Sequence, residues 1–533
     1  MKNTFATAAV LIAAGTQIFA AGPTEPEFPN PYPAPAAGTR LTPPTSEAPH
    51  FNGTETFGAL AGCEVVFRLP VSGKRPMKFS AKGVPAGVNF DETNGIFRGT
   101  PKRRGQYRII VTAKNAAGTA KKTFILKSGN EKIFAPPMGW NSWYVYSEAI
   151  NAEAVEKTAR QMVETGLADF GWSFVNIDDC WQGTRGGELN AIQGNERFPD
   201  MKKMCGNVHE LGLKVGIYST PWISTYAGFI GGSSPDPKGN PESIALPEKK
   251  RPQKTQFFGR WPGLHQMKLD HTGEYWFFDK DAKQWAQWGF DFVKTDWKPN
   301  DAPTTQRIAE ALDKSGRSII LSLSNAAPFE NMPELAKYAN LTRTTGDITD
   351  TWGSIKNIGF AQERWQKFLT RTHFPDPDML QVGNTGTPNN FNVKARPTRL
   401  APDEQYTQIS LWAMLSAPML LSCDLGSLDD FTRGLLCNSE IVDLNQCGGS
   451  VPAKIILREN GLCVWQKGNV FGFFNLADEK KTFEISRERL GETAENSRKI
   501  FDLWTHKRFL ISKSVPALKL EINAHGVRLL RFE

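Results

Sequence analysis

The sequence contains few residues that could hold a metal ion. Of its 533 residues, seven are histidines and seven are cysteines, and none of them forms an HxH, HExxH or CxxC pattern. Because zinc sites are commonly built from such spacings, the sequence disfavours a metal-dependent hydrolase, and we expect no cofactor. The odd number of cysteines allows one or two disulfides in an exported protein, but the spacing does not give their pairing.

The sequence also lacks a long apolar run after its first residues. Residues 1–21 contain Lys2, a short apolar stretch and then small residues, which is the pattern of a secretory signal cleaved near Ala20 or Ala21. A membrane anchor is the alternative, but the stretch is too short for a comfortable span. We therefore expect an exported protein, periplasmic or extracellular, without a membrane span.

Signals for nucleic-acid binding are missing as well. The chain has no interleaved basic and aromatic motif, and its net charge of +8 is spread along the sequence. The densest basic run, residues 248–254, is typical of a solvated loop, although a contact with an anionic glycan stays open. We expect no nucleic-acid partner.

Changes in composition divide the chain into five predicted segments. The signal peptide (1–21) is followed by a proline-rich linker without periodicity (22–50). Short alternating runs broken by glycine and proline predict an Ig-like β-sandwich module (51–130) and a C-terminal antiparallel β-sandwich domain (450–533). Within the first of these, GVPAGVNFDETNGIFRGTP resembles the Ig-like modules of secreted bacterial enzymes. Between them lies the largest predicted domain (134–445).

The largest domain alternates short apolar strands with amphipathic helices, which predicts a (β/α)8 TIM barrel. A doubly wound open sheet is the alternative, but no glycine-rich phosphate loop follows the first strand. Eight strands are predicted, in the order PMGWNSW, FVNIDD, KVGIYS, FVKTDW, SIILSLS, LTRTTGD, DMLQVG and PMLLSC. The first helix is predicted between an N-cap at Asn151 and a C-cap at Gly166, with an apolar face of Val155, Ala159, Met162 and Val163.

Charged side chains follow several of these strands, where a barrel would gather them at one face. In FVKTDW, the side chains of Lys294 and Asp296 point the same way because strand residues alternate between faces. Other strands end in Asp178 and Asp179, in Arg343 and Asp347, and in Asp376 and Asp378. Each single aspartate could be a cap or turn residue, but packing does not explain the whole set.

A cluster of carboxylates serves either to bind metal or to perform acid–base and nucleophilic chemistry. Lys294 and Arg343 beside the carboxylates favour recognition of hydroxyl groups over binding of a divalent cation. Paired carboxylates together with fifteen tryptophans fit glycoside hydrolysis, in which one carboxylate attacks the anomeric carbon and the other protonates the leaving oxygen.

Seven motifs in order resemble the α-galactosidases of glycoside hydrolase family 27, which also includes α-N-acetylgalactosaminidases. They are PPMGWNSW, VNIDDCW, LKVGIYS, FVKTDW, GDITDTW, PDMLQVGN and LWAMLSAPML. The closing AHGVRLLRF is similar to the last strand of this family's C-terminal domain. The resemblance implies a retaining exo-glycosidase that cleaves terminal α-linked galactose and whose partner is an α-galactoside or a related glycan.

The resemblance also assigns roles to residues. It implies that Asp296 is the nucleophile, kept ionised by Lys294, and that Asp347 is the acid/base, protonated in the resting enzyme. Asp350, three residues later, is predicted to be a helix cap. Substrate-binding roles follow for the 4- and 6-hydroxyls (Asp178, Asp179), the sugar face (Trp143), the pocket wall (Tyr218), the ring hydroxyls (Lys294), and the region of the 2-substituent and the nucleophile (Arg343, Asp378).

The fifth strand departs from the family pattern. Typical animal-type α-galactosidases have a glutamate there that binds the 2-hydroxyl, whereas this chain has Ser324 and then Ala327, as N-acetylgalactosaminidases do. Galactose remains the first expectation and N-acetylgalactosamine the second, ahead of β-L-arabinopyranosidase or isomaltodextranase activity. Alternatives from other classes are a non-catalytic carbohydrate-binding protein and a surface adhesion protein, and a homodimer stays open.

Two further departures concern the region after the third strand and a cysteine. The insertion at 221–280 is far longer than in animal-type members and is predicted to form a wall on the acceptor side of the site. Cys180 lacks an evident disulfide partner near the first strand.

Overall fold

The computed structural model describes residues 25–233, 276–386, 394–446, 451–491 and 497–533. The predicted multidomain fold is confirmed: a barrel domain is flanked by an N-terminal Ig-like module and a C-terminal antiparallel β domain. The predicted signal peptide lies outside the described residues.

The barrel sheet consists of eight parallel strands, numbered β1 to β8 along the chain with the bounds given at the end of this paragraph. Within the sheet they lie in the order β7-β6-β5-β4-β3-β2-β1-β8. Its ends are joined by a parallel bridge between Leu380 and Leu421, where Leu380 N donates to Leu420 O at 2.8 Å. The strands are β1 Met138–Asn141, β2 Phe174–Asn176, β3 Lys214–Ser219, β4 Phe292–Asp296, β5 Ile320–Ser324, β6 Leu341–Arg343, β7 Phe374–Asp376 and β8 Met419–Leu421.

Seven of these strands overlap their predicted positions, but the prediction for the seventh strand was wrong. DMLQVG was predicted as the strand, whereas β7 lies just before it. Asp378 has a φ of 82°, which interrupts extended backbone at the start of DMLQVG. The apolar pattern there reflects burial of Met379, Leu380 and Val382, and the segment contacts β8 through the isolated bridge of Leu380 and Leu421 without forming a strand.

Helices surround the barrel sheet, and the first of them illustrates how the sequence sets their ends. Asn151 caps α1 by accepting a hydrogen bond from Ala154 N at 2.8 Å, as predicted. The C-cap is Thr165, one residue before the predicted Gly166, which follows with a φ of 83°. Besides the single helical turn Trp143–Tyr146 after β1, the helices are α1 Ala152–Glu164, α2 Met201–Glu210, α3 Phe278–Trp288, α4 Ala302–Asp313, α5 Met332–Tyr338, α6 Trp352–Gly359, α7 Pro402–Met414, α8 Asp430–Leu436 and α9 Ser439–Gln446. None of the helices within the described ranges combines the length and the apolar character that a bilayer span requires.

The Ig-like module is built from short strands in a four-stranded and a three-stranded sheet, with a further two-stranded pairing. The sheets enclose a core that includes Phe97, Ile109, Val111, Phe124 and Leu126. The strands are His50–Phe51, Thr56–Leu60, Val65–Arg68, Val71–Ser72, Lys78–Lys82, Val88–Asp91, Ile96–Gly99, Gly105–Asn115 and Gly118–Gly129.

The C-terminal domain pairs a six-stranded antiparallel sheet with a two-stranded one. Two of its strands, Arg498–Asp502 and Arg508–Ile511, were not predicted, because they are short and carry charges at their ends. The six predicted strands are present as Lys454–Glu459, Leu462–Lys467, Val470–Asn475, Lys481–Ser486, Ala517–Ile522 and Val527–Phe532.

The proline-rich segment does not behave as the linker that its composition predicted. Phe28 and Tyr32 are buried in the core of the C-terminal domain, and Tyr32 OH donates to Asp502 at 2.7 Å. Farther along, Leu41 N donates to the hydroxyl of Tyr406 on α7 at 2.8 Å. Buried aromatic rings and long-range hydrogen bonds therefore make residues 25–49 a packed strap across two domains.

A buried ion-pair network joins the Ig-like module to the barrel at the start of β4. Arg317 places Nη2 2.7 Å from Asp291 Oδ1 and Nη1 3.0 Å from Glu64 Oε2 on the module. His209 Nε2 lies 2.8 Å from the other oxygen of Asp291. Burial alone would raise the pKa of Asp291, but Arg317 and His209 outweigh it and hold this pKa well below its ordinary value.

We expect Arg317→Leu to lower the free energy of unfolding at pH 7 by about 3–5 kcal/mol, since it leaves the Asp291 carboxylate buried without its main cation. Arg98→Leu is the matched control: Arg98 contacts the same Glu64 at 3.0 Å, but its side chain is 40% exposed. Its loss should cost less than about 1 kcal/mol. Urea unfolding of both variants measures the difference, and equal costs would contradict a special role for the Arg317 network.

Candidate active site

The carboxyl ends of the barrel strands bring the predicted polar residues together at one end of the barrel. Lys294 and Asp296 lie on β4, and Asp296 is in register with Ser324 at the end of β5. The other strands contribute Asp178 after β2, Tyr218 on β3, Arg343 on β6 and Asp378 after β7. A small cavity of about 20 Å³ lies among Lys294, Ser324, Arg343, Asp376 and Asp378.

Lys294 connects two of the strands electrostatically. Its Nζ lies 2.9 Å from Asp178 Oδ2 and 3.9 Å from Asp296 Oδ2. Asn141, at the end of β1, donates from Nδ2 to the same Asp178 oxygen at 2.8 Å. Sequence reasoning missed Asn141, although it stands in the MGWNSW motif two residues before the predicted Trp143.

Asp296 is a buried carboxyl group with one free oxygen. Tyr218 OH lies 3.4 Å from Asp296 Oδ2, whereas Oδ1 has no hydrogen-bond partner among the described residues. Burial raises the pKa of Asp296 to about 6; Lys294 lowers it but does not offset burial, and the charge of Asp347 raises it further.

Asp347 occupies a different environment. Its side chain is 67% exposed, and Oδ1 accepts from Arg343 Nη2 at 3.1 Å and from Asn325 Nδ2 at 3.4 Å. Partial burial would raise the pKa of Asp347, but Arg343 and Lys294 together lower it below the ordinary value. The sequence predicted the opposite order for the two pKa values, because it did not reveal the Arg343 contact or the exposure of Asp347.

Arg343 also pairs with Asp378, at 2.8 Å between Nη2 and Oδ2. Both oxygens of Asp378 are engaged by the backbone, since Oδ2 accepts from Ile348 N and Oδ1 from Met379 N, at 2.9 and 2.8 Å. Asp378 therefore orients Arg343 and fixes the chain just after Asp347. The small residue Ala327 lies on the same side, with its N donating to Arg343 O at 2.9 Å.

Asp179 holds the first part of the long insertion against the barrel. Its Oδ1 accepts from Cys180 N at 2.8 Å and its Oδ2 from Ala227 N at 2.9 Å. Burial raises the pKa of Asp179 to about 7. Trp143 packs against the cluster of Cys180, Ala227 and Phe229, so this predicted sugar-binding ring is partly covered by the insertion.

The insertion is described at residues 221–233 and 276–280, and the first of these segments carries Tyr226 next to Ala227, which is bonded to Asp179. Sequence reasoning missed Tyr226, although the aromatic-rich stretch TPWISTYAGF directly follows β3. Residues 234–275, which were predicted to belong to the acceptor-side wall and include Trp261, lie outside the described residues.

Asp350 does not cap a helix, contrary to the prediction. Thr351 is the N-cap of α6, and it accepts from Ser354 N at 3.3 Å. Asp350 instead pairs with Arg396 at 2.5 Å and Arg399 at 2.7 Å, and these two side chains hold its pKa at about 2 despite its burial. It fixes the segment that carries both arginines.

No metal or disulfide chemistry is found in the part of the chain that the structure describes. It contains no group of three or more histidine, cysteine, aspartate or glutamate side chains that could hold a metal ion. Cys180 and the other described cysteines, Cys63, Cys205, Cys423, Cys437 and Cys463, are free thiols, so no two of them form a predicted disulfide. Cys447 lies outside the described residues.

Family comparisons agree with this architecture domain by domain. The Alpha galactosidase A family matches residues 135–236 and 265–447, an Ig domain family matches residues 48–129, and the Alpha galactosidase C-terminal beta sandwich domain matches residues 463–532. These three matches cover the module, the barrel and the C-terminal domain.

Individual proteins show the same likeness. An α-galactosidase of Cyamopsis tetragonoloba is 30% identical over 407 residues, which are 74% of this chain and 85% of that protein. The crystal structure of a candidate α-galactosidase from Bacteroides fragilis superposes with a TM-score of 0.76 at 25% identity, covering 92% of this chain and 98% of that one. A family 27 β-L-arabinopyranosidase from Geobacillus stearothermophilus gives a TM-score of 0.61 at 27% identity, covering 75% and 98%. The predicted resemblance is confirmed, and the chain belongs to the α-galactosidase A family, glycoside hydrolase family 27.

Proposed function

We propose that this protein is a retaining exo-acting α-galactosidase. The observation that carries the proposal is the pair of carboxyl groups at the ends of β4 and beyond β6: Asp296 is buried beside Lys294, and Asp347 is exposed beside Arg343. Two carboxyl groups in unlike environments divide the roles of nucleophile and acid/base between them. Family membership supports galactose as the sugar.

In the first step, Asp296 Oδ1 attacks the anomeric carbon while Asp347 gives its proton to the glycosidic oxygen. The carbon–oxygen bond breaks, its electron pair stays with the leaving alcohol, and the sugar is bound covalently to Asp296. In the second step, Asp347 takes a proton from water, and the water oxygen displaces Asp296 from the anomeric carbon. Two displacements on one carbon retain its configuration.

The proton on Asp347 is the demanding part of this cycle, since Arg343 favours the charged carboxylate. A glycan that covers the exposed Asp347 would exclude water and so favour the neutral acid. Formation of the covalent intermediate then removes the negative charge of Asp296. Asp347 is thus expected to change its protonation state during the cycle rather than before it.

Sugar recognition is assigned to the residues around Lys294. Asp178 and Lys294 form a charged pair that can hold neighbouring ring hydroxyls, with Asp179 beside them at the base of the insertion. Charge-assisted hydrogen bonds to an axial 4-hydroxyl would discriminate galactose from glucose. Trp143 would contact the sugar face and Tyr218 the pocket wall beside the nucleophile.

A second candidate sugar is N-acetylgalactosamine, favoured by the end of β5. Ser324 Oγ is buried and has no hydrogen-bond partner among the described residues, and Ala327 is a small buried neighbour. Small side chains here would leave room for a 2-acetamido group. A β-L-arabinopyranoside, which lacks the 6-hydroxymethyl group, is a third substrate to compare because of the Geobacillus stearothermophilus relative.

Initial rates on p-nitrophenyl α-galactoside, α-N-acetylgalactosaminide and β-L-arabinopyranoside, with a chelator present, test this assignment. We expect kcat/KM to be highest for the α-galactoside, and Asp296→Asn to reduce it by roughly a thousand-fold or more because the nucleophile is lost. Asp200→Asn is the control, since Asp200 caps α2 and asparagine caps equally well. Preference for the acetamido sugar would replace galactose by the second candidate, and a folded protein inactive on all three would indicate a binding role.

The rise in the pKa of Asp296 predicts the pH dependence. Catalysis requires Asp296 charged and Asp347 neutral, but in the free enzyme Asp296, with a pKa of about 6, is the weaker acid of the two. Above pH 6 both carboxyl groups are ionised and the proton that Asp347 must donate is lost, so kcat/KM should fall as the pH rises through 6. Lys294→Met removes the cation that lowers the pKa of Asp296, and we expect the alkaline limb to move to higher pH by about one unit. Lys337→Met, an exposed residue of α5, should leave the profile unchanged. An alkaline limb that does not move in Lys294→Met would contradict the electrostatic role of Lys294.

We also propose that the protein acts outside the cytoplasm, on the pattern of residues 1–21. Expression of the full chain in a bacterial host should give a mature protein whose amino terminus lies at Ala21 or Gly22. N-terminal sequencing of the periplasmic and extracellular fractions measures this. An intact Met1 in the recovered protein would argue against cleavage.

A further inference from the structure

Tyr226 lies on a short turn whose position is fixed by its backbone. Thr225 N donates to Phe229 O at 2.8 Å, and Ala227 N donates to Asp179 at 2.9 Å. The ring of Tyr226 is 5.4 Å from that of Trp222, centroid to centroid. Hydrogen bonds on both sides and a packed ring leave the side chain little freedom to move away from the site.

The hydroxyl group of Tyr226 is buried and has no hydrogen-bond partner among the described residues. Burial and the charges of Asp296 and Asp347 raise the pKa of this phenol, so it stays a neutral hydrogen-bond donor. The bond between Ala227 N and Asp179 holds the adjacent backbone at the mouth of the barrel. A buried hydroxyl without a partner costs free energy, so the structure maintains it at some expense.

A buried acceptor without a partner belongs to the same site. Asp296 Oδ1, the oxygen assigned to the attack, accepts no hydrogen bond from the described residues, and Tyr226 OH does not reach it. Tyr218, by contrast, already places its hydroxyl 3.4 Å from Asp296 Oδ2. An oxygen-bearing group bound at this site would supply a partner to the unpaired donor and to the unpaired acceptor.

We infer that Tyr226 is a substrate-contacting residue, whose hydroxyl donates a hydrogen bond to an oxygen at or next to the anomeric carbon of the bound sugar. The candidate oxygens are the glycosidic oxygen, the ring oxygen and the 2-hydroxyl, which all lie beside the bond between Asp296 and Asp347. The far side of the sugar is assigned to Asp178 and Asp179. This inference rests on the proposed function.

Tyr226→Phe tests the contact, because it removes the hydroxyl and keeps the ring on Trp222. We expect kcat/KM on p-nitrophenyl α-galactoside to fall roughly ten- to a hundred-fold. The melting temperature should stay the same or rise, since no described protein group loses a partner.

Tyr406→Phe is the matched control, with the same chemical change away from the site. Its hydroxyl accepts from Leu41 N and donates to Thr39 O, at 2.8 and 3.2 Å. Its removal should lower the melting temperature by about 1–3 °C and leave kcat/KM unchanged. Tyr226→Phe should therefore lower kcat/KM without lowering the melting temperature, and Tyr406→Phe should lower the melting temperature without changing kcat/KM.

A 2-deoxygalactoside separates the candidate oxygens. If Tyr226 contacts the 2-hydroxyl, Tyr226→Phe loses no further rate on this substrate; if it contacts the glycosidic or ring oxygen, the full loss remains. An unchanged kcat/KM in Tyr226→Phe on both substrates, with an active wild-type enzyme, would overturn the inference. A wild-type protein inactive on every glycoside would instead refute the proposed function.

Discussion

The ammonium group of Lys294 is the interaction on which the site depends. Its Nζ lies between the buried carboxylates of Asp178 and Asp296, at 2.9 and 3.9 Å, and offsets the repulsion between their negative charges. Because β4 presents Lys294 and Asp296 on one face, the same five-residue strand supplies both the negative charge of the candidate nucleophile and the positive charge that offsets it. Asn141, which donates to Asp178, and Tyr218, whose hydroxyl lies beside Asp296, surround this group of charges.

Rigid support for the site comes from both ends of the barrel. At one end, the Arg317 network anchors the start of β4 to the Ig-like module. At the other, three aspartates hold loops through backbone or arginine contacts: Asp179 holds the insertion, Asp378 the chain after Asp347, and Asp350 the segment of Arg396 and Arg399. Carboxylates at this mouth thus serve as structural anchors as well as candidate reactants.

Sequence reasoning predicted the features that depend on local patterns. Alternation and apolar runs predicted seven barrel strands, and strand-end charges predicted the residues that gather at the site. It did not predict features that depend on residues distant in the sequence. The left-handed backbone at Asp378 prevents a strand over DMLQVG, and Arg343 lowers the pKa of Asp347. Arg396 and Arg399 pair with Asp350, which was expected to cap a helix. The role of Tyr226 was not predicted, because it is inferred from a buried hydroxyl without a hydrogen-bond partner among the described residues, and no sequence pattern indicates that.

The strap at residues 25–49 links the order of synthesis to the order of folding. Phe28 and Tyr32 are synthesised long before the strands of the C-terminal domain, which build the core that buries them. Contacts spanning more than 480 residues, such as Tyr32 with Lys519, form only after the strands of the C-terminal domain have been synthesised. The nascent chain must therefore carry exposed aromatic side chains through most of its production, and assembly of the C-terminal domain is the last step that shields them.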